Sequence, residues 1–257
     1  MQLEFIPRKL AFEYCPQLAQ HLMSWQKAMF TPSDDKLYAG DKVYLEGDDE
    51  TPSVLTQDQA DSLNDEHSKY CLEMCDKFEA APAQKEFHSG VVAELDVSSF
   101  EAFIENIGNR LNQLSLELGW DSIMVISNTR TPYLRQENSY QPVKKAFEKL
   151  IALGMTRTST QAVLLNRNTA VEFFGSIFWI VRGNISTPEI SFTSKNSHII
   201  GTLCKHGNIH FDCYKKSEAV LLLKALSNAD FVKVPNGICE ERFSKSSRIE
   251  GRKLKLD

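Results

Sequence analysis

Apolar residues recur at helical spacing most strongly between positions 168 and 184. Ala170, Phe173, Phe174, Ile177, Phe178 and Val181 fall on one face there. The opposite stripe holds Glu172, Gly175, Ser176, Trp179 and Arg182. Thr169 and Glu172 have the spacing of a capping box, and Gly183-Asn184 tolerates the positive φ of a helix stop. This run predicts the core helix on which the rest of the chain packs. It is too short and too interrupted to span a membrane, which takes about 20 apolar residues. A large aromatic on a polar stripe needs cover, so Trp179 draws it either from the chain itself or from a partner.

The same period predicts helices over 16–30, 57–80, 98–118, 142–153 and from Ser217 onward. Alternating or short apolar runs predict strands at 91–97, 123–127, 163–165, 189–193, 198–205, 208–214 and 231–234, and residues 2–14 look extended. Ser98 and Glu101 make a second capping box ahead of a long apolar face that Gly119 ends. Strand, helix, strand over 91–127 reads as a βαβ-like crossover, although an antiparallel return fits the same pattern. The fold class is α+β: a mixed β-sheet packed with amphipathic helices, preceded by an acidic, mainly helical N-terminal part.

Charge sharpens the division. Residues 1–89 carry 8 Lys and Arg against 17 Asp and Glu, whereas residues 90–257 carry 21 against 17. The organisation read from this is an acidic part over 1–88, an α+β sheet domain over 89–241 and a basic polar tail over 242–257. The tail contains Ile-Glu-Gly-Arg at 249–252, a protease site used in expression vectors, and is set aside from fold reasoning. A net charge of −5 argues against a general nucleic-acid binder. Six cysteines, with no secretory signal and no tight framework spacing, read as free thiols in the cytoplasm.

Chemistry is sparse. The chain has no G-x-S-x-G, H-E-x-x-H, P-loop, G-x-G-x-x-G or C-x-x-C, and no cofactor is implied. His67, Cys71 and Cys75 share a helical face, but Leu63, Tyr70, Met74 and Phe78 share it too, so a core seam is the better reading than a metal site. The run at 46–50, EGDDE, lacks the spacing of a calcium loop. Cys204, His206, His210 and Cys213 invite a zinc reading. A two-residue hairpin turn would set Cys204 and His210 on opposite faces, and only a three-residue loop or bulge would let the ligands converge. On the two-residue turn no metal site is expected.

The best candidate for function is the polar loop 128–141, NTRTPYLRQENSYQ, whose 14 residues are long for a connection. Its Arg130, Tyr133, Arg135 and Tyr140 suit a carboxylate, a phosphate or a protein surface. The first expectation is a non-enzymatic interaction or regulatory protein that binds a protein partner through this loop and Trp179. The second is an enzyme or sensor for a small anionic ligand held by Arg130 and Arg135. A weaker third is nucleic-acid contact by the basic tail.

Overall fold

The structure is a computed structural model that describes residues 2–30, 36–43, 52–77, 87–244 and 249–253. The chain forms two compact units, one of Met1–Leu22 with Phe78–Asp257 and one of Met23–Lys77.

The larger unit is built on eight strands: β1 (Glu4–Ile6), β4 (Ser89–Leu95), β5 (Ile123–Ser127), β6 (Ala162–Leu165), β7 (Ile190–Thr193), β8 (Ile199–Leu203), β9 (Asn208–Cys213) and β10 (Phe231–Lys233). They lie in the order β1-β6-β5-β7-β8-β9-β4-β10, and each neighbouring pair is antiparallel. The α+β class holds, but the sheet is antiparallel rather than mixed, and strands of the same direction are never neighbours. β4 and β5 run the same way, joined by the helix α4 (Phe100–Glu117), but β9, β8 and β7 lie between them. The helix α6 (Arg167–Gly183) carries the chain from β6 over β5 to β7, and α7 (Lys216–Asn228) carries it from β9 over β4 to β10. Only α5 (Gln141–Ala152) joins adjacent strands.

These four helices cover one face of the sheet, with α6 between α4 and α5. Phe173, Phe174, Ile177 and Phe178 are completely buried, as their spacing predicts. Phe174, Phe192 and Phe211 continue this core across the sheet, with ring centroids 5.6 and 5.9 Å apart in edge-to-face pairs. The polar stripe of α6 is also largely enclosed: Ser176 and Arg182 are buried. One cause is the close approach of α4, where a Cβ on Gly108 would lie 2.2 Å from the Val171 carbonyl oxygen. The other sheet face is covered by α1 (Arg8–Tyr14) and the first turns of α2 (Pro16–Met29), where Phe12, Leu18 and Leu22 meet Met124, Ile126 and Ile200. Residues 8–14 are thus helical rather than extended, and Pro16 opens the second helix.

The helix starts differ from the predicted ones by one or more residues. Asn166 caps α6, accepting from the amides of Asn168 and Thr169, while Thr169 Oγ1 accepts from the Asn166 amide. The capping box is therefore Asn166–Thr169 and not Thr169–Glu172. Ser99, not Ser98, caps α4 by accepting from the Ala102 amide, and α7 starts after Lys215. α6 stops at Gly183 with Asn184 extended, without the positive φ anticipated. Gly119 and Gly154 do take positive φ after α4 and α5.

The smaller unit holds the end of α2, a two-stranded sheet of β2 (Lys42–Val43) and β3 (Ser53–Val54), and α3 (Gln57–Met74). Gln26 and Asp76 close it reciprocally: the amide of Gln26 donates to the Asp76 carboxylate, and the Asp76 backbone N–H donates back to Gln26. Only Ala60 and Cys71 of α3 are buried; along the predicted seam Leu63, Met74 and Cys75 are half-buried, and His67 and Tyr70 are exposed. Phe78, the acidic run 46–50 and most of the stretch 79–89 lie outside the described residues. Among the described residues no helix is long and apolar enough to cross a membrane.

Candidate functional site

The loop 128–141 is folded into the larger unit. Asn128, Thr129, Thr131, Leu134, Gln136 and Asn138 are buried in it. Tyr133 is a core residue: its hydroxyl accepts from the Ser127 amide at 3.1 Å and donates to the Gln161 carbonyl at 2.9 Å. Burial pushes that hydroxyl up to about 12. Arg130 and Arg135 are exposed. Tyr140 is half-buried beside Trp179, ring centroids 6.1 Å apart. Of the five predicted site residues the structure brings together these last two.

The tail set aside in the sequence reading supplies part of this region. The Lys253 amide donates to the Gly183 carbonyl and the Ile185 amide donates to the Lys253 carbonyl, a parallel bridge at the end of α6. Gln136 donates to the same Lys253 carbonyl, and the Asn138 amide is shared among Gly183, Asn184 and the Gly251 carbonyl. The buried amides of Gln136 and Asn138 thus find partners in residues 251–253 and at the helix end.

Together the tail, α6 and the start of α4 enclose a cleft of about 980 Å³. Its apolar wall is aromatic. Phe100 meets the edge of Trp179 at 4.6 Å and lies 5.3 Å from Phe243. Its polar wall carries three arginines, Arg182, Arg242 and Arg252, together with Glu101, Glu241 and Glu250 and with Ser98, Ser99 and Ser244. Arg182 stacks over Phe100 at 4.7 Å, donates to the Lys205 carbonyl and forms a two-pronged pair with Glu241 at 2.8 and 3.0 Å. Burial alone would raise the Glu241 carboxyl, but the Arg182 guanidinium and the Phe243 backbone N–H that donates to it together hold it below the usual value. Arg242 pairs with Glu94 and donates to the Leu95 carbonyl, yet its Nη1 is buried with no acceptor. Arg252 Nε is likewise buried without an acceptor. Burial and the neighbouring Arg182 charge push the Arg252 guanidinium below its ordinary value.

Sequence reasoning missed these arginines for two reasons. Arg182 stands one turn after Trp179 on the stripe already singled out, which was the available signal. Arg242 and Arg252 lie in the tail, which no periodicity attached to the fold.

A second cluster lies at the turn between β8 and β9. Leu203 pairs with Ile209 and Thr202 with His210, so the pairing sums are even and the turn holds three residues, 205–207. Gly207 takes the positive φ, +89°, that such a turn needs, and a Cβ there would also strike Phe243. The two-residue turn expected from the sequence is therefore corrected. Cys204 and His210 share a face, and Cys213, paired with Ile199, lies on the other. Cys239 joins the first pair from the segment after β10.

No protein-family model, no curated protein and no solved structure matches the chain.

Proposed function

We propose that the cleft at Trp179 binds a carboxylate or phosphate group carried on a flat apolar body, and that the protein is a binding or sensing module for a small ligand of this kind. The observation that carries this reading is the convergence of Arg182, Arg242 and Arg252 on one cleft, two of them keeping a buried N–H without an acceptor, Arg242 Nη1 and Arg252 Nε. An unpartnered buried donor costs about 1–3 kcal/mol, and more when charged. An anion seated there recovers that cost and supplies Arg252 with a counter-charge. The start of α4 lines the same cleft, and a helix N-terminus favours negative charge. The aromatic wall offers a stacking surface for the rest of the ligand. The volume sits at the upper end of the roughly 300–1,000 Å³ of ligand pockets.

The experiment is thermal unfolding and Trp fluorescence titration with inorganic phosphate, citrate and an aryl phosphate. The expected result is a rise in Tm and a change in emission that Trp179→Phe abolishes, with binding weakened in Arg252→Gln and Arg242→Gln. No shift with any of the three anions, under conditions where the protein is folded, rejects the reading. A second reading is a protein partner that seats an acidic side chain in the same cleft. What favours it is the Trp–Tyr–Arg composition typical of interface anchors. In that case isolated anions fail, and a partner's binding is lost in Trp179→Ala.

A further inference from the structure

We propose that Cys204, His210 and Cys239, with His206 as fourth ligand, form a structural zinc site that staples the β8–β9 turn to the segment carrying Glu241, Arg242 and Phe243. The ligand atoms of Cys204, His210 and Cys239 lie within 4.8 Å of one another. The two sulfurs are 3.4 Å apart. Tetrahedral zinc with Zn–S of about 2.3 Å and Zn–N of about 2.0 Å needs S···S near 3.8 Å and S···N near 3.6 Å. The group of Cys204, His210 and Cys239 therefore closes on an ion with side-chain shifts of about 1 Å, and His206, which touches Cys239 but lies outside that group, turns in to complete the set.

Three further observations point to a metal rather than to packing. His210 Nε2 is buried and has no hydrogen-bond partner, on a ring whose ligating nitrogen lies within 4.8 Å of both sulfurs. An imidazole nitrogen in that position is satisfied by an ion. Asn208 Nδ2 donates to Cys239 Sγ at 3.2 Å, a contact that suits a thiolate, and its second acceptor is the Glu240 carbonyl. Outer contacts of this type orient metal ligands. His206 Nδ1 lies 3.7 Å from Cys239 Sγ, the separation of two ligands on one ion. A disulfide between Cys204 and Cys239 is the competing use of the two thiols, but it leaves His210 without a partner. Two thiolates and two imidazoles in a tetrahedral set select zinc among the common ions.

The turn and the segment already touch: the Arg242 amide donates to the His206 carbonyl at 3.3 Å. An ion held by residues on both would fix the wall of the cleft, whether or not that cleft takes an anion.

The test uses the full chain, purified under reducing conditions. Metal content is measured, and the stripped protein is titrated with Zn²⁺ and with Co²⁺ as a spectroscopic probe. Expected are one zinc per chain, thiolate charge-transfer and tetrahedral cobalt bands, and a Tm that drops on chelation. Cys239→Ser, at a partly exposed position, should fold yet lose the cobalt spectrum and the chelator effect. Its affinity should fall by more than the about 10–100-fold that loss of an outer-shell partner costs. His210→Gln should behave alike. The double variant Cys71→Ser/Cys75→Ser should keep full binding. The proposal is overturned if the reduced protein takes up neither ion, or if a Cys204–Cys239 disulfide forms and its reduced form stays metal-free. Loss of metal in the Cys71/Cys75 variant instead of Cys239→Ser overturns it as well. Unchanged affinity in His206→Gln removes that residue from the ligand set.

Discussion

Single side chains carry the chemistry of this molecule by being buried with specific partners. Tyr133 is the plainest case. Tyr133→Phe leaves the Ser127 amide without its acceptor and the Gln161 carbonyl without its donor, and is expected to cost about 1–3 kcal/mol in urea unfolding. The pH dependence has a definite sign. The folded hydroxyl sits at about 12, above the value near 10 of an unfolded tyrosine. Its contribution is therefore whole below pH 10 and is lost as pH rises toward 12. Glu241 has the opposite sense, because its folded carboxyl is held below the ordinary value. Its contribution is present above the ordinary carboxylate range and disappears as the pH falls below it. Arg182→Met strands that carboxylate, whose side chain is only 7% exposed, and is expected to destabilise by about 3–5 kcal/mol. A denaturant series from pH 7 to pH 3 checks the Glu241 window and the cost of Arg182→Met, with the acid limb flattened in Glu241→Gln. Trp179 and Tyr140 were legible as candidates from residue type and stripe. Tyr133 was legible only as a loop aromatic, since nothing local says that a polar loop folds inward.

Elements were read most surely where the hydrophobic period was long. The α6 face and strands β5, β7, β8 and β9 match their predicted spans to within one or two residues. Short or ambiguous periods failed: residues 8–14 alternate loosely, and the sheet contact of Phe12 made a helix of them. Cap positions slipped because Ser98-Ser99 and Asn166-Arg167-Asn168-Thr169 each offer several cap residues, and backbone direction chooses among them. The packing of α4 on α6 yields a prediction at this scale. Gly108→Ala drives a methyl into the Val171 backbone, which cannot yield as a side-chain tip can. It is expected to cost at least about 1–3 kcal/mol by thermal unfolding, with Tm lowered and the helix content retained below it.

The whole molecule ties distant stretches together through its polar core. Asn138 links loop 128–141 to the end of α6 and to Gly251, and Lys253 pairs with Gly183 and Ile185. A backbone held by such bonds is a poor protease substrate. The Ile-Glu-Gly-Arg run at 249–252 is therefore expected to resist a protease specific for it in the native protein. Asn138→Ala should speed the cleavage several-fold while leaving the sheet intact by circular dichroism. Equal cleavage rates in the two proteins reject the docking role assigned to Asn138. The same reach explains the candidate sites: Arg182 meets Arg242 and Arg252 from 60 and 70 residues away, and Cys204 meets Cys239 from 35.

The sequence alone determined the α+β class, the inward face of α6 and most of the strands, because each depends on a period of apolar side chains that is local. It also tied the meeting of Cys204 and His210 to a three-residue turn, but it counted Cys213 as a ligand, which that turn leaves on the other face, and gave no sign of Cys239. Only the tertiary structure decided that the turn has three residues, since register parity is set by pairing along β8 and β9 and by the room Phe243 leaves at Gly207. It alone brought the tail against loop 128–141 and gathered Arg182, Arg242 and Arg252 around one cleft. Burial and long-range hydrogen bonding are properties of the packed chain, and no local pattern of residues encodes them.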